Sequence, residues 1–373
     1  MIATFRFWIY LLALKMAALA GALVRRPRRH YRLAILKLDR LGDAVLSLGA
    51  VKHLAAGLPA EEVLLVVSPI AEPLFREEFP NTPLLVLPAF CGHFCPDFLR
   101  FLWLHSAQLC ALDVDSLVCL RHQPSDYLHA IACLIQPKCS HASTWEKPRS
   151  SLCLAFPAAT QTPYPKIREE VCLELEAHRR VLGNALGKEV MMKEIMPSIS
   201  CVTPRMGETL VVCPQAGSDI REYPPALLAE ALRLFLKTNS MPVHFCVPPG
   251  AHAGIWQRAM DASGVAVAAW LTPATFKELL ILLAGARLVM APESGPAHLA
   301  TAMNKPGVFI LGGGHYGMFA PWQKSRLQIW LNHAMRCDQC NWECIQAAPY
   351  CITRIAPADI AAALVEVYTA SAI

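Results

Sequence analysis

The residues best suited to chemistry fall in two short glycine-containing turns from opposite halves of the chain. The first, Leu36-Lys37-Leu38-Asp39-Arg40-Leu41-Gly42-Asp43, follows an apolar run and opens a helical one. A carboxylate such as Asp43 at a helix start is stabilised by the helix dipole. Carried at the carboxyl end of a strand, it could accept a proton from a hydroxyl in a cleft; the same position also suits a plain helix cap. The second turn, Ala291-Pro292-Glu293-Ser294-Gly295-Pro296-Ala297-His298, offers a hydroxyl and backbone N–H groups at a helix start, a natural anion site. Gly295 lets a phosphate approach the backbone, and His298, one helical turn on, could donate to a phosphate oxygen. The plainer alternative is an N-cap with Glu293 near the positive helix end. A third segment, PQAGSDIREYP over 214–224, is a polar loop whose Arg221 suits pairing with a phosphate, or is simply solvated. Together the turns imply a cleft between two α/β domains, one holding a phosphorylated donor and the other an attacking group.

Strands and helices must position these residues. Leu33–Leu38 reads as a short buried strand, and 43–57 as a helix with Val45, Leu48, Val51 and Leu54 on one side. Strands at 63–67, 84–87 and 116–120 and a helix at 97–111 continue the first half. Residues 140–168, rich in Ser, Thr and Pro, read as a long loop, and 169–187 as a charged, exposed helix. A second series follows: strands at 210–213, 242–247, 287–291 and 307–311, and helices from Pro224-Pro225 and at 251–262, 273–285, 296–303 and 357–368. Strands alternating with helices predict βαβ units and parallel sheets. The break between halves is placed near 197–208.

With 373 residues, 54% of them hydrophobic and 17% charged, the chain can build two cores and is not disordered. The net charge of +5 is concentrated in Arg25, Arg26, Arg28, Arg29 and Arg32, a local patch rather than the spread basic face of a nucleic-acid binder. Before it lies an apolar stretch, residues 7–24, broken only by Lys15. Eighteen helical residues span roughly 27 Å, slightly under a bilayer's hydrocarbon core. A cleaved signal peptide ending at Ala18-Leu19-Ala20 is one reading. The basic run just after it favours a retained helix on the cytoplasmic side, lying in the membrane interface or crossing it marginally. Either places the arginines against anionic headgroups and the globular part in the cytoplasm, at the membrane's cytoplasmic face.

The fifteen cysteines are mostly scattered in apolar runs, which suits reduced thiols better than disulfides. Four cluster as Cys337, Cys340, Cys344 and Cys351. They could hold a structural zinc or iron tetrahedrally, or be four thiols in a surface loop. Asp113-Val114-Asp115 has the spacing of a metal-binding DxD but precedes a strand, and reads as coincidence. Gly312-Gly313-Gly314 ends a strand and is either a pocket wall or a turn.

LKLDRLGDAVLSLGAVKHL, PQAGSDIREYP and ARLVMAPESGPAHLATAMNKPGVFILGG, in this order, resemble glycosyltransferase family 9, the heptosyltransferases of lipopolysaccharide core assembly and their relatives. The resemblance covers roughly 31–365. It implies a GT-B architecture, two Rossmann-like domains with parallel sheets and an interdomain cleft, here preceded by an apolar membrane-associating helix. The expected division is 1–30 for the apolar helix and basic segment, 31–200 for an acceptor-side domain, 201–356 for a nucleotide-sugar domain carrying the cysteines, and 357–373 for a terminal helix. The resemblance further implies inverting transfer from a nucleotide-sugar, commonly ADP-heptose, to a lipid-linked glycan acceptor; such a scheme requires no cofactor for catalysis, because cationic side chains and backbone amides can carry the leaving-group charge. Asp43 falls on the family's general base, with Arg40 and Gly42 in the acceptor-side loop; Arg221, Glu293, Ser294, Gly295 and His298 fall on its donor-binding segments. Two departures stand out. Position 293 is Glu where the pattern usually has Asp, and 248–252 (PPGAH) lacks the acidic residue that helps bind the nucleoside. An epimerase on the same fold and a non-catalytic membrane scaffold are the rival readings.

Overall fold

The computed structural model describes residues 2–23, 29–88, 96–121, 126–144, 159–163, 172–248, 253–322 and 325–372. The chain forms two compact units, Met1–Ile167 with Leu173–Met196, and Arg168–Cys172 with Pro197–Ile373.

The first unit runs α1 (Ile2–Leu23), β1 (Arg29–Lys37), α2 (Leu41–Ala55), β2 (Val63–Val67), α3 (Glu72–Glu78), β3 (Leu84–Val86), α4 (Pro96–Leu109), β4 (Leu112–Cys119), α5 (Asp126–Ile135), β5 (Cys139–Thr144), β6 (Ala159–Pro163) and α6 (Leu173–Leu186). Its six strands make one sheet in the order β3-β2-β1-β4-β5-β6, with every pairing parallel. Parallel strands covered by helices on both faces read as unbroken apolar runs, and Val63–Val67 is buried throughout. The chain winds outward through β2 and β3, returns, and winds the other way through β4 to β6. The point of reversal lies between β1 and β4, and in open α/β sheets ligands gather outside the strand carboxyl ends there.

The second unit repeats the plan: β7 (Leu210–Val212), α7 (Pro225–Leu236), β8 (Val243–Cys246), α8 (Ala253–Ser263), β9 (Ala269–Leu271), α9 (Phe276–Ala284), β10 (Leu288–Pro292), α10 (Gly295–Ala302), β11 (Gly307–Ile310), β12 (Gln328–Leu331), α11 (Tyr350–Thr353) and α12 (Pro357–Ala370). Its parallel sheet has the order β12-β11-β10-β7-β8-β9, so the reversal falls between β7 and β10. α12 packs on α7, and Ile360, Leu364 and Val367 belong to this unit's core rather than to a detached tail.

Several expectations are corrected. The segment read as a loop over 140–168 contains β5 and β6; its Ser and Thr residues serve strands at the sheet edge, and the intervening part lies outside the described residues. The helix read as exposed over 169–187 is α6, which buries Glu174, Leu175, His178, Val181 and Leu182. The N-terminal segment is helical, but no helix among the described residues is long and apolar enough to cross a membrane. One side of α1 is occupied by protein: Leu14 is in the core with Tyr10, Ala13, Ala17 and Ala18 around it. Of the basic cluster, Arg25, Arg26 and Arg28 lie outside the described residues, as do 249–252 of the loop after β8.

Candidate functional site

In the first unit, the turn at the reversal point is held by a buried charged group. Lys37, the last residue of β1, is 1% exposed. Its ammonium donates to the Leu120 carbonyl at 2.8 Å and to Glu174 at 2.5 Å, and lies 3.1 Å from Asp39. Burial alone would lower its pKa, but Asp39, Glu174 and Asp43 outweigh that and hold it above the ordinary lysine value. Glu174 also meets His178 at 3.1 Å, whose own pKa is pushed down by burial. The turn is tied from two further sides: Ser68 Oγ donates to the Asp39 carbonyl at 2.6 Å, and Arg121, following β4, lies 3.5 Å from the Asp39 carboxylate. Asp43 stands in the first turn of α2, half-buried, within the electrostatic reach of Lys37. The N-cap residue is Arg40, which makes no side-chain capping bond and is exposed; Gly42 lies inside the first turn.

Removing Lys37 would leave the buried Glu174 carboxylate without its cation and take one of the two cations beside Asp39. Lys37→Met is expected to lower the unfolding free energy by about 3 kcal/mol at neutral pH in urea titrations, because breaking a buried pair from one side leaves an uncompensated charge. The sign with pH follows from the raised pKa. The wild type keeps this stability below the unfolded lysine value of 10.5 and loses it as pH climbs above that; the variant should show a flatter alkaline limb.

In the second unit, Glu293 follows β10 and is the centre of the arrangement. Arg221, in the short helical turn Asp219–Arg221 after β7, donates through Nη2 to the Glu293 carbonyl at 2.6 Å and to its carboxylate. His315, after β11, meets Oε2 at 3.1 Å, and His298 Nε2 meets Oε1 at 3.3 Å. Trp322 Nε1 donates to His298 Nδ1 at 3.1 Å, so Nδ1 is the acceptor and the ring proton sits on Nε2, aimed at Glu293. Burial would raise the Glu293 pKa; the two histidines and Arg221 overcome this and hold it well below the usual carboxylate range. The longer Glu side chain lets two oxygens serve three partners on three elements.

This geometry corrects one expected role. His298 is 1% exposed and both its ring nitrogens are engaged, so it positions Glu293 and leaves no nitrogen for a phosphate. Ser294 is the N-cap residue of α10, but its hydroxyl donates back to the Pro292 carbonyl at 2.9 Å instead of capping. The backbone at Ser294–Gly295 remains at the positive helix end. Arg221 Nε is buried without a hydrogen-bond partner among the described residues, a donor suited to an anion.

Trp342 completes this end of the sheet. Its ring lies 5.7 Å from the Arg221 guanidinium carbon and 5.5 Å from the His315 ring. A Cβ at Gly312 or Gly314 would come within 2.1 and 2.6 Å of the indole, which is why that strand end is glycine. Trp342 is carried by the loop of the cysteine cluster. Cys337, Cys340, Cys344 and Cys351 line one cavity of about 10 Å³ with Asp338 and Trp342. No three His, Cys, Asp or Glu side chains among the described residues are grouped to hold a metal ion, and Cys344 Sγ is directed to the Gln346 and Ala348 carbonyls at 3.8 and 3.9 Å. Every described cysteine is a free thiol. Asp113 and Asp115 pair with His30 and Lys138 within the sheet rather than converging on a site.

The profile of glycosyltransferase family 9 (heptosyltransferase) matches residues 155–346, half of the chain, across β7, Arg221, Glu293 and Trp342. The chain belongs to glycosyltransferase family 9. As a member it is a heptosyltransferase-like glycosyltransferase. Lipopolysaccharide heptosyltransferase 3 of Escherichia coli is 36% identical over 56 residues, a stretch that spans 15% of this chain and 16% of that protein. In fold, the chain is similar to a family 9 glycosyltransferase from Veillonella parvula, with a TM-score of 0.69, 14% identity, and coverage of 93% of this chain and 99% of that one. It is similar also to the E. coli heptosyltransferase WaaC with ADP-2-deoxy-2-fluoro heptose, with a TM-score of 0.59, 16% identity, and coverage of 81% and 93%. These neighbours support the GT-B-like plan of two Rossmann-like units expected from the motifs.

Lys37, Asp39, Glu174, His178, His315, Trp322 and Trp342 were not singled out by the sequence. Lys37 carried a usable signal, a lysine closing an otherwise apolar strand two residues before an aspartate. The others are brought in from distant elements and have no local signature.

Proposed function

We propose that this enzyme transfers heptose from ADP-heptose to a lipid-linked glycan acceptor, with inversion at the anomeric carbon. The observation that carries the reading is the second unit's switch point: an arginine with an unpartnered buried N–H, locked by Glu293 beside the α10 N-terminus, in a family 9 chain. That combination suits a diphosphate. A neighbour of this fold was solved with an ADP-heptose analogue, which favours ADP as the nucleotide.

In this scheme Asp43 accepts the proton of the acceptor hydroxyl while its oxygen attacks the anomeric carbon. The bond from that carbon to the diphosphate oxygen breaks, and ADP leaves with the electron pair. Arg221, the Ser294–Gly295 amides and the dipole of α10 carry the charge that develops on the leaving group. Glu293, expected among the donor-binding residues, takes a positioning role in this reading: its carboxylate holds Arg221 and His315 in place with His298 behind it. No step passes through the cysteine loop, whose part is to seat Trp342 against Arg221 and His315. The acceptor falls to the first unit, where Lys37, Asp39 and Arg121 fix the turn carrying Asp43.

A donor screen tests this reading. Acceptor-dependent release of nucleoside diphosphate is expected from ADP-heptose and not from GDP-, UDP- or dTDP-sugars; release from another of these alone would assign a different donor.

A further inference from the structure

We propose that α1 and α4 together form a docking face for the surface of an anionic lipid bilayer, with α1 lying in the plane of the interface. α1 carries two apolar stripes. The inner one, Tyr10, Ala13, Leu14, Ala17 and Ala18, packs on the first unit. The outer one, Ile9, Leu12, Met16, Leu19 and Leu23, recurs at spacings of three and four, and every member is exposed, Leu23 at 83%. A helix whose inner side is committed to protein, and which is not long and apolar enough to cross a membrane, has its outer stripe left for a surface.

α4 extends that face. Tyr10 meets Phe98 edge-on at 6.1 Å, and a Cβ at Gly21 would come within 2.4 Å of Cys110 Sγ, so the two helices run side by side in the same direction. Leu99 and Trp103 share a helical stripe with Ser106 and Cys110, the residues that Gly21 approaches, and so stand on the α1 side of α4. Both are exposed, Trp103 at 86%. An indole in that setting matches the amphipathic rings that anchor proteins at headgroup level.

Charge selects the occupant. Exposed Lys15 and Arg100 border the apolar residues. Arg29, also exposed, opens β1. Arg29 and Gln108, the latter in the last turn of α4, line an open cleft of about 440 Å³. An apolar face with a basic border fits acyl chains beneath anionic headgroups better than a protein surface of either sign. The inference extends the transferase reading, since a lipid-linked acceptor would lie in the same plane.

Sedimentation of the full chain with vesicles of phosphatidylcholine, with and without phosphatidylglycerol, tests it. The wild type should bind the anionic vesicles more tightly than the neutral ones. Leu19→Glu and Trp103→Ser, both at exposed positions on different helices, should each weaken that binding at least about tenfold. Reversing Lys15, Arg29 and Arg100 to Glu should abolish the preference for anionic lipid. Unchanged vesicle binding in both apolar variants would overturn the proposal. So would variants that only dissociate a dimer on gel filtration, which would make the face a contact between copies. ADP titration of the wild type alongside separates the two readings. A wild type that binds ADP but no vesicles sinks the docking face alone; a wild type that binds vesicles but no ADP sinks the transferase reading alone.

Discussion

Asp43→Asn is expected to reduce kcat for sugar transfer by about a thousandfold and to leave ADP affinity within about twofold. The amide matches the carboxylate in size, so α2 and the Lys37 group should keep their arrangement, yet it cannot take the acceptor proton. Asp43 belongs to the first unit and the diphosphate-suited groups belong to the second, so a base at Asp43 acts on turnover and not on donor binding. Single-turnover kinetics with calorimetry of ADP read the two quantities separately. A variant with normal turnover would remove Asp43 from the mechanism. A variant with lost ADP affinity and unchanged single-turnover rate would recast it as a binding residue.

Glu293→Gln should have the second large effect, and on different quantities. Glu293 compensates Arg221 and orients His315, and all three side chains are largely buried. Replacing the carboxylate leaves a guanidinium without its counter-ion, at a cost of about 3 kcal/mol in stability. With Arg221 no longer held, ADP affinity should fall at least about tenfold, and Arg221→Ala should weaken ADP binding in the same direction. The pH dependence supplies an independent check. A carboxylate whose folded pKa is depressed contributes stability that is present above its unfolded value of 4.5 and is lost as pH falls below it. The wild type should therefore lose stability on acidification more steeply than Glu293→Gln. Parallel acid limbs in urea titrations would show that Glu293 is not the charged centre described. Glu293→Asp keeps the charge but shortens the reach, and should leave one of the three partners unserved.

Much of the fold could be read from the chain because parallel strands covered on both faces leave continuous apolar runs. Val63–Val67 and Leu288–Pro292 are buried at every position, and their sequences are correspondingly plain. Part of what escaped was short or polar, although α5, apolar over most of its ten residues, escaped too. β9 is three residues long, and β5 and β6 are Ser- and Thr-bearing strands at one side of their sheet, a composition that also suits a loop. Polar residues placed inside were equally hidden. α6 looks like an exposed charged helix because nothing near Glu174 in sequence shows that its partner is Lys37, 137 positions earlier.

The site divides in the same way. Asp43, Arg221 and Glu293 could be singled out in the sequence because each sits in a turn between a strand and a helix, where backbone geometry narrows the roles a side chain can play. The role of His298 was not, because it depends on Trp322, 24 residues on, which takes the nitrogen that a phosphate would have needed. The cysteine spacing suggested a metal knuckle, whereas the loop's visible contribution is to press Trp342 into the gap left by Gly312 and Gly314. The glutamate at 293, unusual for the motif, becomes intelligible once its three partners are seen.

The measurement closest to the central claim is NMR of the sugar product formed from ADP-heptose and a heptose-accepting lipid-linked glycan. The account predicts one new glycosidic linkage, opposite in anomeric configuration to the donor, with one ADP released per linkage formed. A linkage that keeps the donor's configuration, or ADP-heptose left intact beside a competent acceptor, would contradict it.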